Sequence, residues 1–343
     1  MERSNKPLMP NEISKETKLS MKARVMTGLV LILICLPTIF TGGWFYFTLI
    51  FIVIAIGTHE IVSVERKRRF SLFIYVFSYI IIYALVFWVF IKNQVVLARE
   101  MGPDYVFRLE KGFDTLSLST IAIAVAAGVF FIVVLANEKF TILDATYLFT
   151  MVTVVALGAQ SLLFMRYYPY SKFAFDSLTN PIDVSTPLFK YLHSSFLLIY
   201  LVLGVVLNDI GAYFIGLYFG HKKVNPRISP KKTWAGFFGG IFVSLLVSTS
   251  FALVVDAVGL PILPFLTIKE WYWILLLSFG MPLIGNLGDF AFSAIKRHYE
   301  IKDFGSLLKG HGGILDRLDS FLFAAIGLAS LIIFINNGWD FFL

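Results

Sequence analysis

Residues 271–290 read WYWILLLSFGMPLIGNLGDF, and Asp289 is the only charged residue in this run. An α-helix of about 20 apolar residues is long enough to cross the roughly 30 Å hydrocarbon core of a membrane. Apolar runs of similar length recur along the whole chain. The sequence therefore predicts an all-α, polytopic integral membrane protein.

The composition agrees with lipid as the main solvent. Hydrophobic residues make up 58% of the 343 residues and charged residues 15%, against about 45–50% and about 25% in soluble domains. The formal net charge is +7, but the aromatic residues lie inside apolar runs and do not interleave with a basic face, so we expect no nucleic-acid partner. The lone Cys35 excludes an intrachain disulfide.

About nine spans can be drawn, and they divide the chain into three parts. Residues 1–24 form a basic cytoplasmic tail without the features of a cleaved signal peptide, residues 25–193 an N-terminal transmembrane region, and residues 194–343 a C-terminal transmembrane catalytic region. The predicted spans are Val25–Thr41, Trp44–Glu60, Leu72–Ile91, Leu116–Ala136, Thr141–Met165, Ser195–Phe219, Trp234–Val255, Trp271–Phe290 and Ile314–Ile335.

The distribution of basic residues predicts the orientation. With a cytoplasmic N-terminus, 21 of the 29 Lys and Arg residues lie on the cytoplasmic side and 8 on the other. Cytoplasmic connections of membrane proteins are enriched in Lys and Arg. We therefore expect the N-terminus inside and the C-terminus outside.

Polar residues inside the predicted spans need a reason. A central Asp costs about 2.5–3.5 kcal/mol on insertion scales. Asn208 and Asp209 lie deep in the sixth span, and Asn286 and Asp289 lie near the end of the eighth. Asp144 is close enough to a span end to reach water, so we assign it a structural role.

A basic segment precedes the seventh span. It reads GHKKVNPRISPKKTWAG over residues 220–236, and Thr233 is a plausible helix N-cap. Lys231, Lys232 and the backbone N–H groups at the helix start would bind a phosphate. The alternative is an anchor that touches lipid headgroups and only sets topology.

The segment between the last two spans carries the strongest chemical signal. Asp316 and Asp319 are three residues apart and share one helix face. With Asp289 they could hold Mg²⁺, which takes one or two carboxylates together with phosphates and water. The residues leave open whether a second cation binds. Asp209 and Asp289 could instead be the ion-coupling acids of a transporter.

Further residues in this segment suit phosphate binding. Gly310, Gly312 and Gly313 let the backbone approach a triphosphate. For His311 we favour a role as a hydrogen-bond donor to phosphate, or a structural role, over a role as a general base. Arg317 either clamps a phosphate or neutralises the neighbouring acids. The positive charges for phosphate oxygens come from Lys296, Arg297 and Lys302.

These residues together form a recognisable signature. Ser293-x-x-Lys296-Arg297-x₄-Lys302-Asp303, followed by His311-Gly312-Gly313-x-x-Asp316-Arg317-x-Asp319, closely resembles that of the phosphatidate cytidylyltransferases, also called CDP-diacylglycerol synthases. The resemblance covers about residues 200–335 and includes Asn208-Asp209 and Ser229-Pro230-Lys231-Lys232-Thr233-Trp234. Lys309 and Ala235 depart from it, since the family usually has proline and glutamate there.

The resemblance implies an Mg²⁺-dependent nucleotidyltransferase that converts CTP and phosphatidic acid into CDP-diacylglycerol and pyrophosphate. A CTP-dependent polyprenol kinase is the alternative within lipid enzymes. The implied setting is a bacterial plasma membrane with the site on the cytoplasmic side. Whether the protein forms a homodimer is left open. The implied catalytic residues are Asp289, Lys296, Asp316 and Asp319; the implied substrate-binding residues are Asp209, Ser229, Lys231, Lys232, Ser293, Arg297, Lys302, Asp303, His311, Gly312, Gly313 and Arg317.

Overall fold

The structure is a computed structural model that describes residues 15–64, 70–98, 115–179, 195–307 and 312–337. Helices account for most of these residues. Every predicted span falls on one helix. The helices are α1 (Lys15–Thr41), α2 (Gly43–Ser63), α3 (Leu72–Ala98), α4 (Thr115–Ala136), α5 (Ile142–Thr179), α6 (Phe196–Phe219), α7 (Trp234–Ala257), α8 (Trp271–His298) and α9 (Leu315–Asn337).

Six of these helices are long and apolar enough to cross a membrane, namely α2, α5, α6, α7, α8 and α9. In α1, α3 and α4 the apolar stretches found within the described residues are shorter, at Met26–Thr41, Leu72–Val86 and Ala122–Ala136. The protein is thus a helical, polytopic membrane protein. Helix α1 also begins ten residues earlier than the predicted first span and includes residues 15–24 of the predicted tail.

The all-α prediction missed a small antiparallel hairpin. Strands β1 (Lys223–Asn225) and β2 (Ser229–Thr233) pair with Lys223 opposite Thr233 and Asn225 opposite Ser229. The Asn225 Oδ1 atom accepts a hydrogen bond from the Ile228 N–H at 3.3 Å, which closes the turn. The basic segment before the seventh span is therefore a hairpin that leads directly into α7.

Small residues allow α6 and α7 to pack closely. The buried residues of α7 include Gly236, Gly240, Ser244 and Ser248, which recur every fourth position and so form one stripe. A Cβ atom on Gly240 would lie 2.5 Å from the Asn208 carbonyl oxygen of α6. Close backbone approach through small residues is the usual way in which helices associate in lipid.

Helix α5 forms the centre of the N-terminal half, where it packs against α2, α3 and α9. Its side chains Leu148, Met151 and Leu163 are fully buried. Asp144 accepts hydrogen bonds from the Thr141 N–H and hydroxyl, both at 2.8 Å, at the start of this helix. The structural role predicted for Asp144 is thus confirmed as helix capping.

Candidate active site

Helix α8 extends beyond the predicted end of its span. The span was predicted to stop at Phe290, but the helix continues to His298 and includes Ser293, Lys296 and Arg297. It ends where Glu300 adopts a positive φ of 54° and the Ile301 N–H bonds to the Lys296 carbonyl at 2.9 Å. The signature residues from Ser293 to Arg297 are therefore helical, which fixes their side chains relative to Asp289.

Asp289 joins α8 to the hairpin. Its Oδ2 atom forms an ion pair with the Lys232 ammonium group of β2, and its Oδ1 atom accepts a hydrogen bond from the Ser293 hydroxyl at 3.3 Å. The Lys232 ammonium also lies 4.4 Å from the centre of the Phe290 ring. Both charged side chains stay about a quarter exposed, at 29% for Lys232 and 26% for Asp289, so a ligand can reach this pair.

Lys296 lies between two acids of α9. Its Nζ atom is 2.9 Å from Asp316 Oδ1 and 3.7 Å from Asp319 Oδ2. The prediction that Asp316 and Asp319 share one helix face is therefore confirmed. Lys296 is 8% exposed, and a buried charge of this kind requires an opposite charge nearby.

Asp316 also shapes the loop before α9. Its Oδ2 atom accepts hydrogen bonds from the Phe304 N–H at 2.8 Å and the Gly313 N–H at 3.0 Å. Gly312 has φ +86°, a conformation that side chains rarely adopt, and a Cβ there would lie 3.1 Å from Asp316 Oδ2. Gly312 is thus needed for the loop to fold back onto the Asp316 carboxylate.

Asp209 of α6 lies close to the same centre. It interacts electrostatically with Asp289, Lys232 and Arg317, and the Asn208 amide donates to its Oδ1 atom at 3.4 Å. Asn208 also exchanges two hydrogen bonds with Asn286 of α8, at 3.0 and 3.2 Å. This paired amide contact joins α6 to α8 and satisfies both buried side chains.

Some predicted site residues lie at the edge of this centre. Arg297 donates to the Ile228 carbonyl at 3.4 Å and to the Ile301 carbonyl at 3.2 Å, so it ties the hairpin to α8. Ser229 starts β2 opposite Asn225. Lys231, Lys302, Asp303 and Arg317 are exposed, whereas His311, with Lys309 and Gly310, lies outside the described residues.

Asp289, Asp316 and Asp319 can offer a hard cation two carboxylates at a time, not three. Within the described ranges no three His, Cys, Asp or Glu side chains lie close enough together to hold a metal ion. Asp316 and Asp319 nevertheless share the charge of Lys296, and Asp319 interacts electrostatically with Asp289. One or two carboxylates, completed by phosphate and water, match the oxygen ligands that Mg²⁺ uses.

The sequence-based site omitted Glu60. This residue ends the predicted second span, is 4% exposed, and accepts hydrogen bonds from the Ile314 and Leu315 N–H groups, each at 2.9 Å. The signal available in the sequence was an acid within an apolar run, which is uncommon without a function or a partner. Its partners lie more than 250 positions away, so local spacing could not identify them.

The fold and these contacts define a class of protein: a polytopic membrane protein with a charged site at the ends of its C-terminal helices. Residues 22–335 match the model of the cytidylyltransferase family. The chain is 30% identical over 313 residues to the phosphatidate cytidylyltransferase of Staphylococcus epidermidis, which covers 91% of this chain and 99% of the relative.

Two other relatives give the same picture. The phosphatidate cytidylyltransferase of Staphylococcus aureus is 30% identical over 315 residues, covering 91% of this chain and 99% of the relative. That of Bacillus subtilis is 48% identical over 116 residues, which is 34% of this chain and 39% of the relative. The chain belongs to the cytidylyltransferase family.

Proposed function

We propose that this protein transfers the cytidylyl group of CTP to phosphatidic acid, giving CDP-diacylglycerol and pyrophosphate for phospholipid synthesis. Family membership and the near full-length similarity to phosphatidate cytidylyltransferases support the reaction. The observation in the structure that carries the proposal is the convergence of two Lys–Asp ion pairs, one on Asp289 and one on Asp316, from separate elements.

The reaction requires positioning and charge neutralisation. A phosphate oxygen of phosphatidic acid attacks the α-phosphorus of CTP, a new P–O bond forms, and the bond to pyrophosphate breaks. Lys232 and Lys296 supply positive charge to phosphate oxygens, as in other phosphoryl-transfer sites. Asp209, which neighbours Lys232 on the α6 side, lines the position of the lipid headgroup.

A divalent cation completes this proposal. Two of the three acids Asp289, Asp316 and Asp319 would hold Mg²⁺ together with phosphate and water, and the cation would neutralise charge on the triphosphate when bound. Asp316 already accepts hydrogen bonds from Lys296, Phe304 and Gly313. Asp289 and Asp319 therefore keep more oxygen lone pairs for a cation than Asp316 does.

The setting is a bacterial plasma membrane, which agrees with the bacterial relatives. The proposed arrangement has about nine spans with the N-terminus in the cytoplasm. The hairpin and the loop before α9 then face the cytoplasm, where CTP is available. The lipid reaches the site from the bilayer, and the nucleotide from water.

The products test this proposal. Purified protein in detergent with CTP, phosphatidic acid and Mg²⁺ should release one pyrophosphate for each CDP-diacylglycerol formed. Omission of phosphatidic acid or addition of excess EDTA should abolish the release. Formation of CDP with a polyprenol acceptor would instead indicate a kinase, and no turnover with either acceptor would contradict the proposal.

A further inference from the structure

Glu60 connects the N-terminal helices to the start of α9. Its two carboxylate oxygens serve two different backbone groups, with Oε1 accepting from Ile314 N–H and Oε2 from Leu315 N–H. These N–H groups lie at the N-terminal end of α9, where they have no partner within the helix. Glu60 therefore caps α9 from a helix that is distant in the sequence.

The surrounding loop is shaped around this carboxylate. A Cβ atom on Gly313 would lie 2.5 Å from Glu60 Oε2, and one on Gly305 would also collide with the carboxylate. Nearby on α2, a Cβ on Gly57 would lie 3.3 Å from the Leu315 side chain, which is 1% exposed. The C-terminal end of α2 thus packs closely against Gly305 and Gly313 of the loop and against Leu315 at the start of α9.

The position of α9's first turn decides where the acids lie. Asp316 directly follows Leu315, and its carboxylate holds both Lys296 and the Phe304 N–H. A shift of the helix start would move Asp316 relative to Lys296 and would move Asp319 with it. Displacements of about 1 Å can reduce turnover about 100-fold in sites that act by positioning.

We propose that Glu60 is a positioning residue for the reaction: by binding two N–H groups at the start of α9, it fixes the acids of α9 against Lys296. This inference rests on the proposed cytidylyl transfer. It also gives the N-terminal region a role in the site beyond membrane anchoring, since α2 holds the loop that carries Gly312 and Gly313.

Glu60→Gln is the direct test. An amide has one acceptor oxygen, so its NH₂ group would face one of the two N–H groups. We expect kcat to fall by about 10–100-fold, and backbone amide exchange to rise in residues 312–318. Asp144→Asn is the matched control, because Asp144 is also 4% exposed and caps α5. We expect it to keep kcat within about two-fold, because its carboxylate bonds to Thr141 at the start of its own helix.

The outcomes separate the two proposals. Unchanged kcat, KM and exchange in a folded Glu60→Gln variant would overturn the positioning role. A wild-type protein without cytidylyl transfer would contradict the proposed function, and the exchange of residues 312–318 would still decide whether Glu60 fixes the loop. If Glu60→Gln does not fold, Glu60→Asp keeps the charge with a shorter reach and should show the same two changes in milder form; wild-type values in that variant would overturn the role.

Discussion

At the scale of single residues, Lys296 determines the charge balance of the site. It is buried against Asp316 and Asp319, so its ammonium group offsets two acids that would otherwise repel each other. Lys232 forms the corresponding ion pair with Asp289, but its side chain is more exposed than that of Lys296. The two lysines therefore differ in access, and Lys232 is the better placed to contact an entering ligand.

Lys232 and Lys231 should differ in their effects on activity. Strand alternation directs neighbouring side chains to opposite faces, and Lys232 contacts Asp289 while Lys231 is exposed. Loss of a charge-assisted contact in Lys232→Ala should lower kcat/KM for CTP by about 10–100-fold. Lys231→Ala should change it by less than about three-fold, as for other exposed charges. Steady-state kinetics with both purified variants measure this difference, and equal losses would contradict the assignment.

The structure brings several of the predicted residues together, but the contacts among them were not predicted from the sequence. Lys296, Asp316 and Asp319 could be found because their spacing belongs to a contiguous motif. Lys231 and Lys232 could not be separated, because the hairpin register that directs one of them to Asp289 depends on tertiary structure. Glu60 could not be connected to α9 because its hydrogen-bond partners are remote in sequence.

At the scale of elements, the predicted helices agree with the structure more closely at their starts than at their ends. Six helices end beyond the last residue of the predicted span, and α8 does so by eight residues. Hydropathy identifies the part of a helix that lies in lipid, whereas backbone hydrogen bonds continue into polar segments such as Lys296-Arg297-His298. The hairpin was missed because its strands are short and polar.

The stripe of small residues on α7 gives a stability prediction. In Gly240→Ala the new methyl group would meet the backbone and side chain of Asn208, so α6 and α7 would have to separate. Overpacking of this kind costs about 1–3 kcal/mol. Thermal unfolding in detergent should show a lower Tm for this variant. Gly128→Ala in α4 is the control, because a Cβ there has no atom within 4 Å; an equal Tm for the two variants would contradict close packing between α6 and α7.

At the scale of the whole molecule, the proposal requires the hairpin and the 3₁₀ turn at Ile268–Glu270 to lie on opposite sides of the membrane. Helix α7 separates them with 24 residues, and a helix of that length spans about 36 Å. Exposed positions suitable for labelling occur at both ends, at Arg227 and Lys269.

Cysteine labelling tests this orientation. In a Cys35→Ser background, Arg227→Cys should react with an impermeant thiol reagent only after the cells are opened. Lys269→Cys should react in intact cells, since the positive-inside rule places this end outside. The reverse pattern would contradict the cytoplasmic site, and labelling of both positions from one side would contradict α7 as a span.

The path of the phosphorus atoms of CTP tests the central claim most directly. With CTP labelled at the α-phosphate, the label should enter the lipid in the presence of phosphatidic acid and Mg²⁺; with the γ-phosphate labelled, it should stay in water as pyrophosphate. Asp289→Asn should abolish both products, because this change removes the charge that pairs with Lys232. Transfer of the γ-label to lipid, or full transfer of the α-label by Asp289→Asn, would contradict cytidylyl transfer at this site.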